Sequence, residues 1–266
     1  MSRIATLALA LGFAGVASVA LAAPCSNSGG QHEQWKSAFA SEAQPSGVGQ
    51  RGIQALMASS YSSSTIAADR NQKSFRYSLD RFLQVRGAPT IVSQGRSRKA
   101  RNAGFYQSLE SRYGVPAGVL LAIHGMETGF GGFMGDSRVV SSILTLAYDC
   151  RRSAFFTPHA IAALQLVDRG VLSANSIGAK HGEWGHTQFL PGNVMRYGVD
   201  ADGNGRVDLT NQTDALASTA NFLRQKGWRP GAGYQPGQPN FRVIQEWNAA
   251  TVYQQAIAQM AAQIDG

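Results

Sequence analysis

The sequence has few charged residues, only two cysteines and no repeating unit. Of its 266 residues, 15% are charged, whereas about a quarter is usual for a globular domain. The lack of a heptad or a blade-length repeat excludes coiled coils and solenoids. The Walker A, S-x-x-K, G-x-S-x-G and H-E-x-x-H motifs are also missing, so the sequence carries none of these signatures of phosphate binding, serine nucleophiles or zinc peptidases.

The sequence contains enough apolar residues to form a sizeable hydrophobic core. Hydrophobic residues make up 44% of the chain, which excludes wholesale disorder. Lysine and arginine total 24 against 16 acidic residues, giving a formal net charge of +8. A basic protein of this kind suits an anionic partner, namely nucleic acid, an acidic membrane surface or an acidic polymer. The charge does not distinguish among the three.

Residues 1–22 have the pattern of a secretory signal peptide. Arg3 precedes an apolar stretch from residue 4 to 21, and Ala20-Leu21-Ala22 matches an A-x-A cleavage site. A membrane anchor is the competing interpretation, and Cys25 raises the possibility of a lipoprotein, although Pro24 does not suit a lipobox. We therefore expect an exported, periplasmic protein, soluble after cleavage, that starts at Ala23 and has no stable membrane anchor.

The interpretation of the two cysteines depends on the predicted export. Cys25 and Cys150 form an even pair in an oxidising compartment, so a disulfide is the first expectation. In the chain-entropy model, closing so long a loop contributes roughly 4–5 kcal/mol. Two unpaired buried thiols, or a cysteine nucleophile, are the alternatives.

Apolar residues recur at helical spacing through most of the chain. The spacing predicts a helix that ends at Gly114, another that starts near Pro116, a third from Thr157-Pro158 to Gly170, and a fourth over Thr213–Lys226. Strand patterns are scarce. The sequence therefore predicts a mainly α fold (α+β) with long loops, in one domain over residues 23–266.

The segment that begins at Asp200 has the spacing of a calcium loop. Oxygen ligands at positions one, three and five, a glycine at six and a backbone carbonyl at seven are how an EF-hand loop wraps a hard cation. These positions are Asp200, Asp202, Asn204, Gly205 and Arg206. Position twelve, normally a bidentate glutamate, is Asn211, so Asp214 would have to close a longer loop over residues 200–214. The alternative is an Asp/Asn/Gly turn that binds nothing.

Two glycine-rich segments carry candidate chemistry. Glu127 ends an apolar helix beside Met126 and Phe130, where desolvation would raise the pKa of its carboxyl and suit it to general acid catalysis. A solvated helix-terminal glutamate is the alternative. The segment from Gly182 to Pro191 combines aromatic and amide side chains, which suit pyranose rings.

These residues together resemble the membrane-bound lytic murein transglycosylase B family. The similarity covers about Phe105 to Met260. It lies in Tyr113-Gly114-Val115-Pro116, the G-x-E-T-x-x-G stretch around Glu127, Tyr148 to Arg152 with Phe155-Phe156, the G-x-x-G-x-x-Q-F-x-P stretch ending at Pro191, the Asp200 loop, and Trp247-Asn248 with Tyr253.

The resemblance implies a lysozyme-like helical catalytic domain that acts on peptidoglycan glycan strands. Such enzymes break the MurNAc–GlcNAc β-1,4 bond without water and leave 1,6-anhydro-MurNAc ends. The family's single catalytic acid/base maps onto Glu127, and no cofactor takes part in catalysis.

The resemblance also implies the remaining site residues. Gln188 matches a glutamine that lines the saccharide cleft, Arg151 and Arg152 match basic residues near acidic groups of the substrate, and Asn248 and Tyr253 match a polar pair close to the catalytic glutamate. The Asp200 loop, closed by Asp214, matches a structural cation site for Ca²⁺ or Na⁺. We expect a monomer that does not bind nucleic acid.

The sequence departs from the family pattern at two places. Ala179 stands where the family can carry a hydroxyl, and Glu183-Trp184 replaces a small residue and a methionine. Trp184 could still stack on a sugar. Glu183 could activate water if it lay opposite Glu127, which would make the enzyme a hydrolytic muramidase, but we predict that it is peripheral. A non-catalytic peptidoglycan-binding protein is the rival of a different class.

Overall fold

The computed structural model describes residues 23–71 and 76–266. The predicted signal peptide, residues 1–22, lies outside them. Within the described part the helices are α1 (His32–Ala43), α2 (Gln50–Ala58), α3 (Ser63–Arg70), α4 (Leu79–Arg86), α5 (Ala88–Arg101), α6 (Ala103–Tyr113), α7 (Ala117–Thr128), α8 (Val139–Tyr148), α9 (Ser153–Asp168), α10 (Pro191–Tyr197), α11 (Gln212–Gln225), α12 (Phe241–Trp247) and α13 (Thr251–Asp265). A short 3₁₀ helix, Gly29–Gln31, precedes α1.

The strand content is small, as the sequence predicted. Strand β1 (Ser137–Arg138) pairs antiparallel with β2 (Ile177–Gly178), with Ser137 opposite Gly178. Because α8 and α9 lie between them in the chain, this short ladder joins the segment after α7 to the segment before α10. The prediction of a mainly α fold is confirmed.

Helix α7 lies at the centre of the core. Its sequence is apolar on every face, so it must be surrounded by other elements to be stable. Helices α13 and α5 pack against it, and residues 117–126 are all buried. The approach of α13 is so close that a Cβ at Gly118 would lie 2.3 Å from the carbonyl oxygen of Ala261. Glycine is required there because no side chain fits.

The ends of α7 follow from its sequence. Pro116 takes an extended conformation at the N-cap, and Gly129 takes the left-handed conformation at the C-cap with φ of 58°. Its N–H donates to the carbonyl of Gly125 at 3.0 Å. The helix therefore ends at Thr128, one residue after Glu127, which leaves Glu127 in the last turn.

Helix α9 begins at an earlier residue than the sequence predicted. The predicted start at Thr157-Pro158 is wrong, because α9 begins at Ser153 and contains Pro158. The N–H groups of Phe155 and Phe156 already donate to the carbonyl of Arg152, at 3.0 and 3.1 Å. The first turn is thus formed by residues with no cap motif. Pro158 is the sixth residue of α9, so it supplies no N–H to the carbonyl of Ala154, four residues earlier.

The predicted pairing of the cysteines is confirmed. Cys25 and Cys150 form a disulfide that joins residues 125 apart in sequence, with their Cα atoms 4.9 Å apart. Two hydrogen bonds beside the disulfide join the same two segments. The Ser26 N–H donates to the carbonyl of Tyr148 at 3.0 Å, and the Tyr148 hydroxyl donates to the carbonyl of Ser28 at 2.7 Å. The segment before α1 is therefore fixed to the end of α8.

Within residues 23–71 and 76–266, none of the helices has both the length and the hydropathy needed to cross a bilayer.

Replacing both Cys25 and Cys150 by serine should lower the free energy of unfolding by about 4 kcal/mol, because the cross-link no longer restricts the unfolded chain. Urea unfolding followed by circular dichroism measures this, and the wild type under a thiol reductant should unfold at the same midpoint as the double variant. An unchanged midpoint would contradict a stabilising role for the disulfide.

Candidate active site

A cavity of about 290 Å³ opens beside the C-terminal end of α7. Its walls come from the last turn of α7, the loop between β2 and α10, and helices α10 to α12. The lining residues are Glu127, Ala179, His181, Glu183, Gln188, Phe189, Leu190, Asn193, Phe222, Trp247 and Asn248.

Glu127 is held by two donors from the C-terminal part of the chain. The Tyr253 hydroxyl and the Trp247 indole N–H both donate to its Oε1, the indole nitrogen at 3.1 Å. Tyr253 lies in the first turn of α13, and Trp247 is the last residue of α12. The packing of α13 against α7 therefore brings both donors to the carboxyl group.

Burial raises the pKa of Glu127 above its ordinary value, because the ionised form is desolvated beside the apolar end of α7. The hydrogen bonds from Tyr253 and Trp247 favour the ionised form and oppose this shift, as does the charge of Arg86. The carboxyl can thus carry a proton at a higher pH than an exposed glutamic acid does. When it ionises, the two hydrogen-bond donors are already in place to stabilise the carboxylate.

Behind Glu127 a hydrogen-bonded group fixes the end of α7. The Thr128 hydroxyl donates to the carbonyl of His186 at 2.7 Å and accepts from the N–H of Gly131 at 2.9 Å. His124 Nε2 lies 3.0 Å from His186 Nδ1. Burial lowers the pKa of His186, and lowers that of His124 to about 3, so both rings are uncharged at neutral pH. No motif in the sequence indicated this group.

Two residues near the cavity have left-handed backbone conformations without being glycine. Phe130 has φ of 62° and Gln188 has φ of 55°, and among the described residues these are the two such cases. The amide nitrogen of Gln188 donates to the carbonyls of Gly185 at 2.7 Å and of Met134 at 3.3 Å. Those bonds hold Gln188 in the cavity wall.

The prediction that Trp184 stacks on a sugar is wrong. Its side chain is only 4% exposed, and its backbone forms a bridge with Phe189 at the neck of the loop. The indole is not among the groups that line the Glu127 cavity. The ring is packed into the core, because the loop turns back on itself at this point.

Glu183 is not peripheral, contrary to the prediction. Its side chain lines the same cavity as Glu127, and burial together with the charge of Glu127 raises the pKa of Glu183 to about 7. The cavity therefore contains two carboxyl groups with raised pKa values. The signal that could have identified it was a glutamate, directly after Gly182, at a position where the family pattern has a small residue.

Arg151 and Arg152 both bind the buried carboxylate of Asp69, through their Nη2 atoms. They are not among the cavity-lining groups. Their side chains are 44% and 36% exposed, so each keeps part of its surface in solvent. The structure thus gives them a definite role in fixing α3 to the start of α9.

Asn248 and Tyr253, which the resemblance implied to be a polar pair, have separate contacts: Asn248 lines the cavity and Tyr253 donates to Glu127. The Oδ1 of Asn248 accepts from the N–H of Ala250, the N-cap residue of α13, at 3.0 Å. The sequence indicated Trp247 only as part of a motif, whereas its indole N–H donates directly to Glu127. Its position in the Trp-Asn dipeptide was the signal that could have identified it.

A second group of carboxylates converges in the predicted calcium loop. Oxygens of Asp200, Asp202 and Asp214 lie within 4.8 Å of one another. Asp214 is fully buried in the first turn of α11, and its carboxylate accepts from the N–H groups of Ala201 at 2.8 Å and Asp208 at 2.9 Å. Asp214 is therefore hydrogen-bonded to the main chain at two points of the loop.

The other predicted ligands belong to the same loop. The N–H of Arg206 donates to Asn204 Oδ1 at 3.0 Å. The guanidinium of Arg206 is 3.7 Å from Asp208, outside the carboxylate group, so only its carbonyl is a ligand candidate. The loop is joined to the active site, because the His186 N–H donates to the carbonyl of Leu209 at 2.9 Å.

Comparison with known proteins identifies a family. The family model described as transglycosylase SLT domain matches residues 31–239. The chain is 32% identical to membrane-bound lytic murein transglycosylase B of Escherichia coli (strain K12) over 137 residues, which are 48% of this chain and 38% of that protein. The match thus spans well under half the length of this curated relative.

Solved structures share the fold. The SltB3 protein of Pseudomonas aeruginosa in complex with NAG-NAM-pentapeptide matches with a TM-score of 0.81 and 28% identity, covering 88% of this chain and 80% of that one. Its complex with NAG-anhNAM-pentapeptide matches with a TM-score of 0.80. The Escherichia coli lytic transglycosylase SLT35 in complex with calcium matches with a TM-score of 0.73 and 21% identity, covering 86% and 92%. The predicted lysozyme-like helical fold is confirmed.

Replacing Tyr253 by phenylalanine should raise the pKa of Glu127 further, by about one pH unit, because the ionised carboxylate loses a hydrogen bond that favours it. Carbon-13 NMR of the labelled glutamate side chains, followed against pH, measures this.

Tyr106 is the matched control. It is equally buried, but its hydroxyl has no hydrogen-bond partner within the described residues, so Tyr106→Phe should leave the Glu127 titration unchanged. Equal titration curves for Tyr253→Phe and wild type would contradict the role of the tyrosine.

Proposed function

The chain belongs to the transglycosylase SLT domain family, and on that premise we propose that it is a lytic transglycosylase. Its substrate is peptidoglycan, in which it cleaves the MurNAc–GlcNAc β-1,4 bond and forms 1,6-anhydro-MurNAc ends. The observation that carries the proposal is Glu127, a carboxyl of raised pKa held by two donors in an open cavity. The SltB3 complexes with NAG-NAM-pentapeptide and NAG-anhNAM-pentapeptide support the choice of substrate and product.

The chemistry needs one carboxyl group. Protonated Glu127 donates its proton to the glycosidic oxygen, the bond from that oxygen to C1 of MurNAc breaks, and the GlcNAc chain leaves with a hydroxyl. The C6 hydroxyl of the same MurNAc then attacks C1, and the Glu127 carboxylate takes its proton. Acid and base are thus the same group, restored at the end, and no water or cofactor is consumed.

The neighbours of Glu127 serve the two halves of this cycle. Burial keeps the proton on the carboxyl before cleavage, while Tyr253 and Trp247 stabilise the carboxylate that exists between the two steps. Gln188 and Asn248 line the cavity and are proposed to contact the saccharide. The exposed parts of Arg151 and Arg152 are proposed to meet acidic groups of the substrate.

The net charge and the predicted export indicate the anionic partner and the location of the protein. The net charge of +8 suits the peptide carboxylates of peptidoglycan, and we infer that this polymer, rather than nucleic acid, is the anionic partner. We propose a soluble periplasmic monomer.

We also propose that the loop over residues 200–214 binds a structural cation, Ca²⁺ in preference to Na⁺. Three convergent carboxylates, with Asn204 and the Arg206 carbonyl beside them, form an all-oxygen ligand set that suits a hard cation. The ion would hold the loop against α11 and take no part in the chemistry.

Glu127→Gln should abolish the release of anhydro-muropeptides from purified sacculi, because an amide cannot deliver the proton. Mass spectrometry of the soluble fragments measures this, and a loss of at least about 100-fold is expected. Glu110→Gln, which changes an exposed glutamate on α6, is the matched control and should be fully active. Hydrated ends from the wild type would assign a muramidase instead, and no fragments from the wild type would indicate a binding protein.

Calcium at about 100 times its dissociation constant should raise the melting temperature by about 5 °C, because it binds only the folded loop. Differential scanning calorimetry with and without a chelator measures this.

Asp200→Asn should remove the calcium-dependent rise. Asp136→Asn should keep it, since Asp136 is an exposed carboxylate outside the loop. A rise in melting temperature that survives Asp200→Asn would contradict the site. At a temperature where both forms are folded, chelation should change turnover little.

A further inference from the structure

The main chain at Glu183 is fixed tightly in the cavity wall. The N–H of Ala179 donates to the carbonyl of Glu183 at 2.8 Å, and a Cβ at Gly178 would lie 2.1 Å from that same oxygen. On the other side, Trp184 is buried and its backbone bridges to Phe189. The position from which the Glu183 side chain enters the cavity is therefore set by the fold.

The Glu183 carboxyl has unused hydrogen-bonding capacity. Its Oε2 is buried and has no hydrogen-bond partner within the described residues, and its Oε1 is 4.0 Å from His181 Nδ1. Glu127, across the same cavity, has two donors. A buried polar atom without a partner is costly, and a bound molecule that supplies the partner removes that cost.

The groups around Glu183 favour its neutral form. Burial is the largest influence, and the negative charge of Glu127 acts in the same direction. The main-chain N–H groups of His181 and Glu183 and the guanidinium of Arg152 oppose them, but Arg152 is already paired with Asp69. Burial also lowers the pKa of the His181 imidazole, so that ring is uncharged at neutral pH.

We propose that Glu183 binds the saccharide directly, donating a hydrogen bond from its protonated Oε2 to an acceptor oxygen of the amino sugar. This proposal rests on the proposed function and adds a binding residue to it. A protonated carboxyl is a donor, and the acetamido, hydroxyl and ring oxygens of the sugar are acceptors. A general base for water would have to be ionised, which the shared cavity with Glu127 disfavours.

A dependence of binding on pH follows. Glu183 has a raised pKa of about 7, so the donor is present below that pH and is lost as the pH rises through it. Above it, the carboxylate can only accept, and it repels the acceptor oxygen that it bound before. Saccharide affinity should therefore fall from pH 5.5 to 8.5.

The test uses Glu127→Gln protein, which is expected not to cleave, and GlcNAc-MurNAc-pentapeptide as the probe. Isothermal titration calorimetry should show the dissociation constant rising about tenfold between pH 5.5 and 8.5, the effect of one hydrogen bond. Burial still raises the pKa of Glu183 in this background. The double variant Glu127→Gln/Glu183→Gln keeps a donor at every pH, so its dissociation constant should stay constant within about twofold.

A second double variant separates binding from a structural effect. At pH 5.5, Glu127→Gln/Glu183→Ala should bind about tenfold more weakly than Glu127→Gln. At the same pH, Glu127→Gln/Glu183→Gln should bind as tightly as Glu127→Gln. The same pH dependence with and without Glu183 would overturn the proposal. So would hydrated muropeptides that the wild type releases and Glu183→Gln does not, since Glu183 would then activate water. No binding at any pH would overturn the proposed function as well.

Discussion

The site depends on one balance, which is the cost of burying the Glu127 carboxyl against the donors that its neighbours supply. Helix α7 is apolar on all faces and is enclosed by the core, so its last turn carries the glutamate into a desolvated position. The Tyr253 hydroxyl and the Trp247 indole reach the carboxyl because α12 and α13 are packed where they are. Without the burial the group would be an ordinary acid, and without the donors its ionised form would be too costly.

The loop between β2 and α10 completes the site from the opposite side. It brings Gln188 and Glu183 into the cavity, and it holds them by main-chain bonds at Ala179 and at the Trp184–Phe189 bridge. The loop is also connected to the rear of the glutamate and to the carboxylate loop. The carbonyl of Leu209 accepts from His186, whose own carbonyl accepts from Thr128. The three functional segments therefore form one hydrogen-bonded unit.

Two arginines and a tryptophan show why side-chain type alone misleads. Arg151 and Arg152 are the residues that acidic substrate groups suit best in sequence terms, yet both are bound to Asp69 from α3. Trp184 has the ring that sugars stack on, yet it is buried in the turn of its own loop. In each case a distant segment decides which surface of the residue is left for a ligand.

The sequence by itself determined the helical fold, the position of Glu127 at the end of an apolar helix, the disulfide and the residues of the carboxylate loop. These features depend on local spacing, on capping and on an even pair of cysteines, all of which are written in neighbouring residues or in composition. Only the tertiary structure decided that Glu183 shares a cavity with Glu127, that Trp247 donates to it, and that Trp184 is buried. Those relations join residues 56 to 120 positions apart. Burial and electrostatic coupling over such separations arise from packing, which no local pattern encodes.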